Sequence, residues 1–145
     1  MPMAERTATT SWDGDLAHGN GVVTGASGAL GELPVTWASR TERSDGKTSP
    51  EELIAAAHSS CFSMALAHGL TEAGNPPEHL DVTAKVTLDM KDGAPTVTSS
   101  ELTVSGRVAG IDQAAFERAA TDAGKNCPIS RALSSLDITV NATLQ

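Results

Sequence analysis

The sequence predicts an α+β fold in a single domain, residues 1–145, with the element order β-β-β-α-β-β-α-α-β. Three observations carry this. Short alternating runs punctuated by glycine fill the first third of the chain, and similar runs return further on. One long alanine-rich apolar run begins at a capping signal near residue 50. Two shorter helical stretches then separate the later alternating runs, without internal repeats or linkers. A chain of 145 residues buries roughly 70% of the surface its unfolded form exposes, so it can hold a core without disulfides.

The first three strands are Thr7–Trp12, Asn20–Gly25 and Leu33–Ser39, with glycine at most junctions, and they read as an antiparallel meander. Ser49-Pro50-Glu51-Glu52 combines a capping serine, proline at the first helical position and glutamate three residues after the cap, so a helix starts there. It is expected to run to about His68, where Gly69 or Gly74 can end it ahead of Pro76-Pro77. Strands at His79–Met90 and Thr96–Val108 flank Asp92-Gly93, a hairpin turn signal. Asp112 caps a helix from Gln113 to Ala123, with Ala115, Phe116, Ala119 and Ala123 as its apolar stripe and Gly124 as its close. Cys127-Pro128 opens a short third helix to about Leu133, and Leu136–Leu144 returns to strand alternation.

Composition narrows the function. The net charge is -8, and the lysines and arginines are scattered, which argues against nucleic acid and gives no pull toward anionic membranes. The most apolar segment, Leu53–Leu70, is interrupted by His58, Ser59, Ser60, Ser63 and His68, so it is expected to be a buried helix of a soluble domain rather than a membrane span. Met1–Ala8 lacks the apolar core of a secretory leader, which sets the expectation of a cytoplasmic, reducing location. A cysteine pair there is transient, catalytic or redox-sensing more often than structural.

The chain has two cysteines, and their settings differ. Cys127 precedes Pro128 and so falls at or beside a helix N-cap, where unpaired N–H groups favour a thiolate; the plain alternative is a small residue fitting a turn. Cys61 lies mid-helix among alanines, with His58 three residues before it, and by itself reads as a buried, inert thiol needing a cation to react. Glu51 lies ten residues before Cys61, a rise of about 15 Å on a straight helix. If both serve one site, the helix breaks or the glutamate comes from a second subunit. Glu51 and Glu52 also have a plain structural role at the helix start. No Cys-x-x-Cys or His-Glu-x-x-His spacing occurs, so no metal is expected, although His58, Cys61 and Cys127 together remain a conceivable ligand set. The glycines at 19, 21, 25 and 28 suit hairpins rather than a phosphate cradle, and no cofactor is expected.

The run Ser49-Pro-Glu-Glu-Leu-Ile-Ala-Ala-Ala-His-Ser-Ser-Cys61-Phe-Ser-Met-Ala-Leu66, together with Asn126-Cys127-Pro-Ile-Ser130, resembles the two signature segments of the OsmC/Ohr family of thiol peroxidases. The resemblance extends to Trp12-Asp-Gly-Asp15, Trp37-Ala-Ser-Arg40 and Gly110-Ile-Asp112, and is closest to the OsmC branch. It implies an intertwined homodimer with antiparallel sheets wrapped around long central helices. It also implies Cys61 as peroxidatic thiol, Cys127 as resolving thiol, and Arg40 with Glu51 as the charged pair that activates Cys61. The implied partners are an organic hydroperoxide and a dithiol reductant, a dihydrolipoyl group on a protein. Phe62, Met64, Leu66 and Ile54 are candidates for an apolar pocket favouring organic hydroperoxides.

A different class of function competes with this: a stress-induced protein that binds hydrophobic ligands or senses redox state without turnover. Another tension is internal. Local physics prefers Cys127 as the acidic thiol, whereas the resemblance assigns first attack to Cys61.

Overall fold

Six strands and four helices follow one another as β1 (Ala8–Asp13), β2 (Asn20–Gly25), β3 (Leu33–Val35), α1 (Trp37–Thr41), α2 (Pro50–Glu72), β4 (His79–Lys91), β5 (Ala94–Arg107), α3 (Gln113–Asn126), α4 (Pro128–Ala132) and β6 (Asp137–Leu144). This computed structural model describes all residues, Met1–Gln145. The α+β architecture matches the expectation, and its contacts fall into two compact units, Met1–Leu53 and Ile54–Gln145.

In the first unit, β1, β2 and β3 form the expected antiparallel meander. The third strand stops at Val35 rather than Ser39. Alternation of Leu33, Val35 and Trp37 reads as strand, but Thr36 instead caps a helical turn: its hydroxyl accepts from the Ser39 N–H, and Ser39 Oγ accepts from the Thr36 N–H. Two reciprocal bonds on orphan donors outweigh a four-residue extension of an edge strand. The result is α1, which the sequence reading missed. The start of α2 behaves as expected, with the Glu52 N–H donating to Ser49 Oγ at 3.1 Å. Its glutamate does not complete the box; Glu52 accepts from the Thr48 hydroxyl instead.

In the second unit α2 continues past Gly69 to Glu72 and ends in a Schellman pattern, with the Asn75 N–H on the Leu70 carbonyl and the Gly74 N–H on that of Thr71. Every fourth residue of α2 from His58, namely Phe62, Leu66 and Leu70, is buried. These join Leu102, Val104 and Val108, and Phe116, Ala120 and Ala123 of α3, in the core. Each large apolar side chain so buried contributes about 1.5–3 kcal/mol. The rest of α2 is largely uncovered within this chain. Its apolar 18-residue window is only 22% buried, although its length and mean hydropathy of 1.3 would suffice to cross a bilayer. The expectation of a buried helix is therefore met on one face only.

The long hairpin β4–β5 turns on Asp92 and Gly93, both at positive φ (51° and 79°), as a two-residue type I′ turn requires. β6 pairs with the other side of β5 in parallel, so the second sheet is mixed and not antiparallel throughout. The cause is the crossover: α3 and α4 carry the chain from the end of β5 back to the level of Ser99, and β6 sets out in the same direction as β5. α3 also runs through Gly124 to Asn126 rather than closing there. Gly124 is needed for close packing instead, since a Cβ there would lie 2.7 Å from Val140 Cγ2 on β6.

Candidate active site

The four candidate residues form two pairs. In the first unit α1 ends at Thr41 and α2 begins at Pro50, and across the intervening loop Arg40 grips Glu51. Arg40 Nε donates to Oε1 (3.1 Å) and Oε2 (3.2 Å), and Nη2 donates to Oε2 (2.9 Å). This fork fixes the guanidinium plane, as a planar cation on a carboxylate does. Nη1 has no partner and is left to contact something else. The Glu51 side chain is 9% exposed and that of Arg40 32%. Arg40 also borders a cavity of about 440 Å³ whose other walls include Trp12, Leu16, Val35, Trp37 and Leu53. That is an apolar cleft with one oriented cation.

In the second unit Cys61, on α2, and Cys127, between α3 and α4, are free thiols close enough for Cys127 to bear on the ionisation of Cys61. Cys127 is fully buried, and Cys61 is partly exposed. Cys127 holds the N-cap position of α4 with Pro128 next, as expected, but its side chain caps nothing and meets Cys61 instead. The Cys61 thiol is pushed up, foremost by removal from water and then by the Cys127 thiol near it; only the Ile129 backbone N–H acts the other way. Without a cation Cys61 is thus a poor thiolate, as the mid-helix setting led one to expect. Ten residues of unbroken helix separate it from Glu51, a rise of about 15 Å.

His58 is the residue the sequence reading undervalued. It is fully buried and lies one turn before Cys61. Nδ1 lies 2.7 Å from Ser100 Oγ on β5, and Nε2 lies 2.8 Å from Ser130 Oγ on α4. Burial lowers its pKa, which favours the neutral ring. With both nitrogens occupied, it is not free to join Cys61 and Cys127 around a metal. The proposed apolar pocket beside Cys61 also dissolves: Phe62 and Leu66 are fully buried in the core, and Met64 is 71% exposed.

The sequence model of a family described as OsmC-like protein matches residues 43–142. The chain belongs to that family. It is 41% identical over 134 residues, covering 92% of each chain, to the protein named peroxiredoxin OsmC in Escherichia coli (strain K12), and equally to its namesake in Shigella flexneri. The fold is shared with an organic hydroperoxide resistance protein OsmC from Legionella pneumophila, at TM-score 0.73 and 21% identity over 99% of both chains. It is shared too with the organic hydroperoxide resistance protein OhrB of Bacillus subtilis, at TM-score 0.72 and 23% identity over 94% of this chain and 98% of that one.

Proposed function

We propose that the chain reduces organic hydroperoxides to alcohols through a two-thiol cycle in the reducing cytoplasm, with Cys61 attacking first and Cys127 resolving. Kinship with the peroxiredoxins OsmC makes it a thiol-dependent peroxidase. What carries the finer reading is the thiol–thiol contact between Cys61 and Cys127. The Cys61 thiolate attacks the outer oxygen, the O–O bond breaks, the alkoxide leaves and takes a proton, and a sulfenic acid remains on Cys61. Cys127 sulfur then displaces the hydroxyl as water and forms a disulfide before a second peroxide can intervene. An external dithiol, a dihydrolipoyl group in this proposal, restores both thiols by exchange.

The raised Cys61 thiol needs a positive neighbour, and in this proposal a second copy supplies it. In an intertwined homodimer the partner subunit's Arg40, held by the partner subunit's Glu51, stabilises the Cys61 thiolate and orients the peroxide. Two observations favour such a dimer. The apolar helix α2 leaves most of its surface uncovered, Met64 included. The meander β1–β3 buries only Val23 of its apolar side chains. The cleft beside Arg40 would take the hydrocarbon part of an organic hydroperoxide.

Peroxide consumption with dithiothreitol or dihydrolipoamide as reductant tests the proposal. Turnover lost in Cys61→Ser, with cumene hydroperoxide reduced faster than hydrogen peroxide, is expected. No turnover by the wild type would favour the binding or sensing alternative, and equal or reversed preference would remove the organic substrate class.

A further inference from the structure

The geometry points to His58 as a positioning residue for the resolving step, holding α4 so that Cys127 stays against Cys61 while the Cys61 sulfur changes oxidation state. The inference rests on the two-thiol cycle above. α4 has five residues and offers little packing surface of its own. Its hydrogen-bonded ties are the Cys127 N–H on the Ala123 carbonyl and Ser130 on His58, with the Ile129 N–H lying toward the Cys61 thiol. His58 stands three residues before Cys61 on α2, and Ser130 stands three residues after Cys127. The His58–Ser130 bond therefore joins the same two elements as the thiol pair, about one turn away on each.

These ties differ in what oxidation does to them. Conversion of Cys61 to a sulfenic acid changes what the Cys61 sulfur shares with Cys127 and with the Ile129 N–H, because it alters that sulfur itself. The His58–Ser130 bond does not involve that sulfur and persists. A neutral imidazole has one N–H and one acceptor nitrogen, and the two serine hydroxyls satisfy both. Ser100, fully buried on β5, fixes the ring from its other end. The bridge is thus anchored to α2 and to the sheet, and α4 hangs from it.

The condensation it serves is balanced without further reagents. Cys127 sulfur bonds to Cys61 sulfur, the Cys61 S–O bond breaks, and the Cys127 thiol proton leaves with the hydroxyl as water. The competing reaction uses a second hydroperoxide, which transfers one oxygen to Cys61 to give the sulfinic acid and is itself reduced to alcohol. Loss of proximity slows the first reaction and leaves the second untouched.

The test uses the reduced full-length chain with excess cumene hydroperoxide and no reductant, and reads by mass spectrometry the ratio of Cys61 sulfinic acid to Cys61–Cys127 disulfide. Ser130→Ala and His58→Leu are expected to raise that ratio about tenfold. His58→Gln, which keeps a donor and an acceptor, is expected to restore most of the disulfide. Val104→Ala, a core truncation on β5, is expected to lower the melting temperature without moving the ratio. If Ser130→Ala partitions like the wild type, or Val104→Ala shifts the ratio as much, the inference is overturned. Should His58→Leu not fold, Ser130→Ala decides alone. A wild-type chain that forms no disulfide overturns the two-thiol cycle and this inference with it.

Discussion

Replacing Glu51 by glutamine removes one charge and half of a fork while leaving size almost unchanged. In the folded chain Glu51 accepts three contacts from Arg40, between 2.9 and 3.2 Å. A glutamine whose carbonyl oxygen takes the place of Oε2 can still accept from Nε and Nη2, but the Oε1 bond and the carboxylate charge are lost and its amide turns N–H groups toward Nε. A charge-assisted hydrogen bond is worth about 1.5–3 kcal/mol, which corresponds to roughly 10- to 160-fold in rate if the orientation of Arg40 is felt in full at the transition state. About a third of the Arg40 side chain (32%) remains exposed, so solvent screening points to the lower end, roughly tenfold. The assay is kcat/KM for cumene hydroperoxide at saturating reductant, with thermal melting as a control. Arg40→Lys, which keeps the charge and loses the planar fork, is expected to fall at least as far. A Glu51→Gln enzyme within twofold of wild type would refute the orienting role. If its melting temperature alone fell, Glu51 would be a structural residue.

Further outcomes follow from the burial of His58 and the packing of Gly124. The folded-state pKa of His58 is lowered below 6.5, so between the two values the unfolded chain binds the extra proton and unfolding free energy rises with pH. Urea midpoints should therefore fall as pH drops below about 6.5, and the fall should flatten in His58→Gln; an identical slope in both proteins would contradict a neutral buried ring. Gly124→Ala places a methyl 2.7 Å from Val140 Cγ2 and should cost about 1–3 kcal/mol in denaturant unfolding. A neutral or stabilising effect, as expected for glycine to alanine in an uncrowded helix, would show that α3 and β6 are not so closely packed.

What was legible in the sequence was mostly local. Ser49-Pro50 and Asp92-Gly93 carry their own geometry, and the helix start and the hairpin turn appear where they fall. The five residues of α1 are too few to show helical periodicity, and the alternation of Leu33, Val35 and Trp37 concealed the Thr36–Ser39 box. The direction of β6 could not be read from its own residues, because it depends on where α3 and α4 deliver the chain. Gly124 looked like a helix stop because its real constraint, Val140, is not a neighbour in sequence. The site divides in the same way. Arg40 and Glu51, eleven residues apart, do meet, and Cys61 meets Cys127 across the fold. His58 gave only a weak signal, a lone imidazole on an alanine-rich helix, because its partners lie 42 and 72 residues away. The resemblance drew both cysteines and the ion pair into one reading, which spacing alone left unresolved.

In the proposed cycle Cys61 attacks the peroxide before Cys127 takes part. The structure gives Cys61 the partial exposure a peroxide needs and buries Cys127 completely, while the Cys61 thiol itself is pushed up. Trapping of sulfenic acid with dimedone, after one equivalent of cumene hydroperoxide, should be done on the two single variants side by side. An adduct is expected at Cys61 in Cys127→Ser and none at Cys127 in Cys61→Ser; an adduct formed only at Cys127 would make Cys127 the attacking thiol.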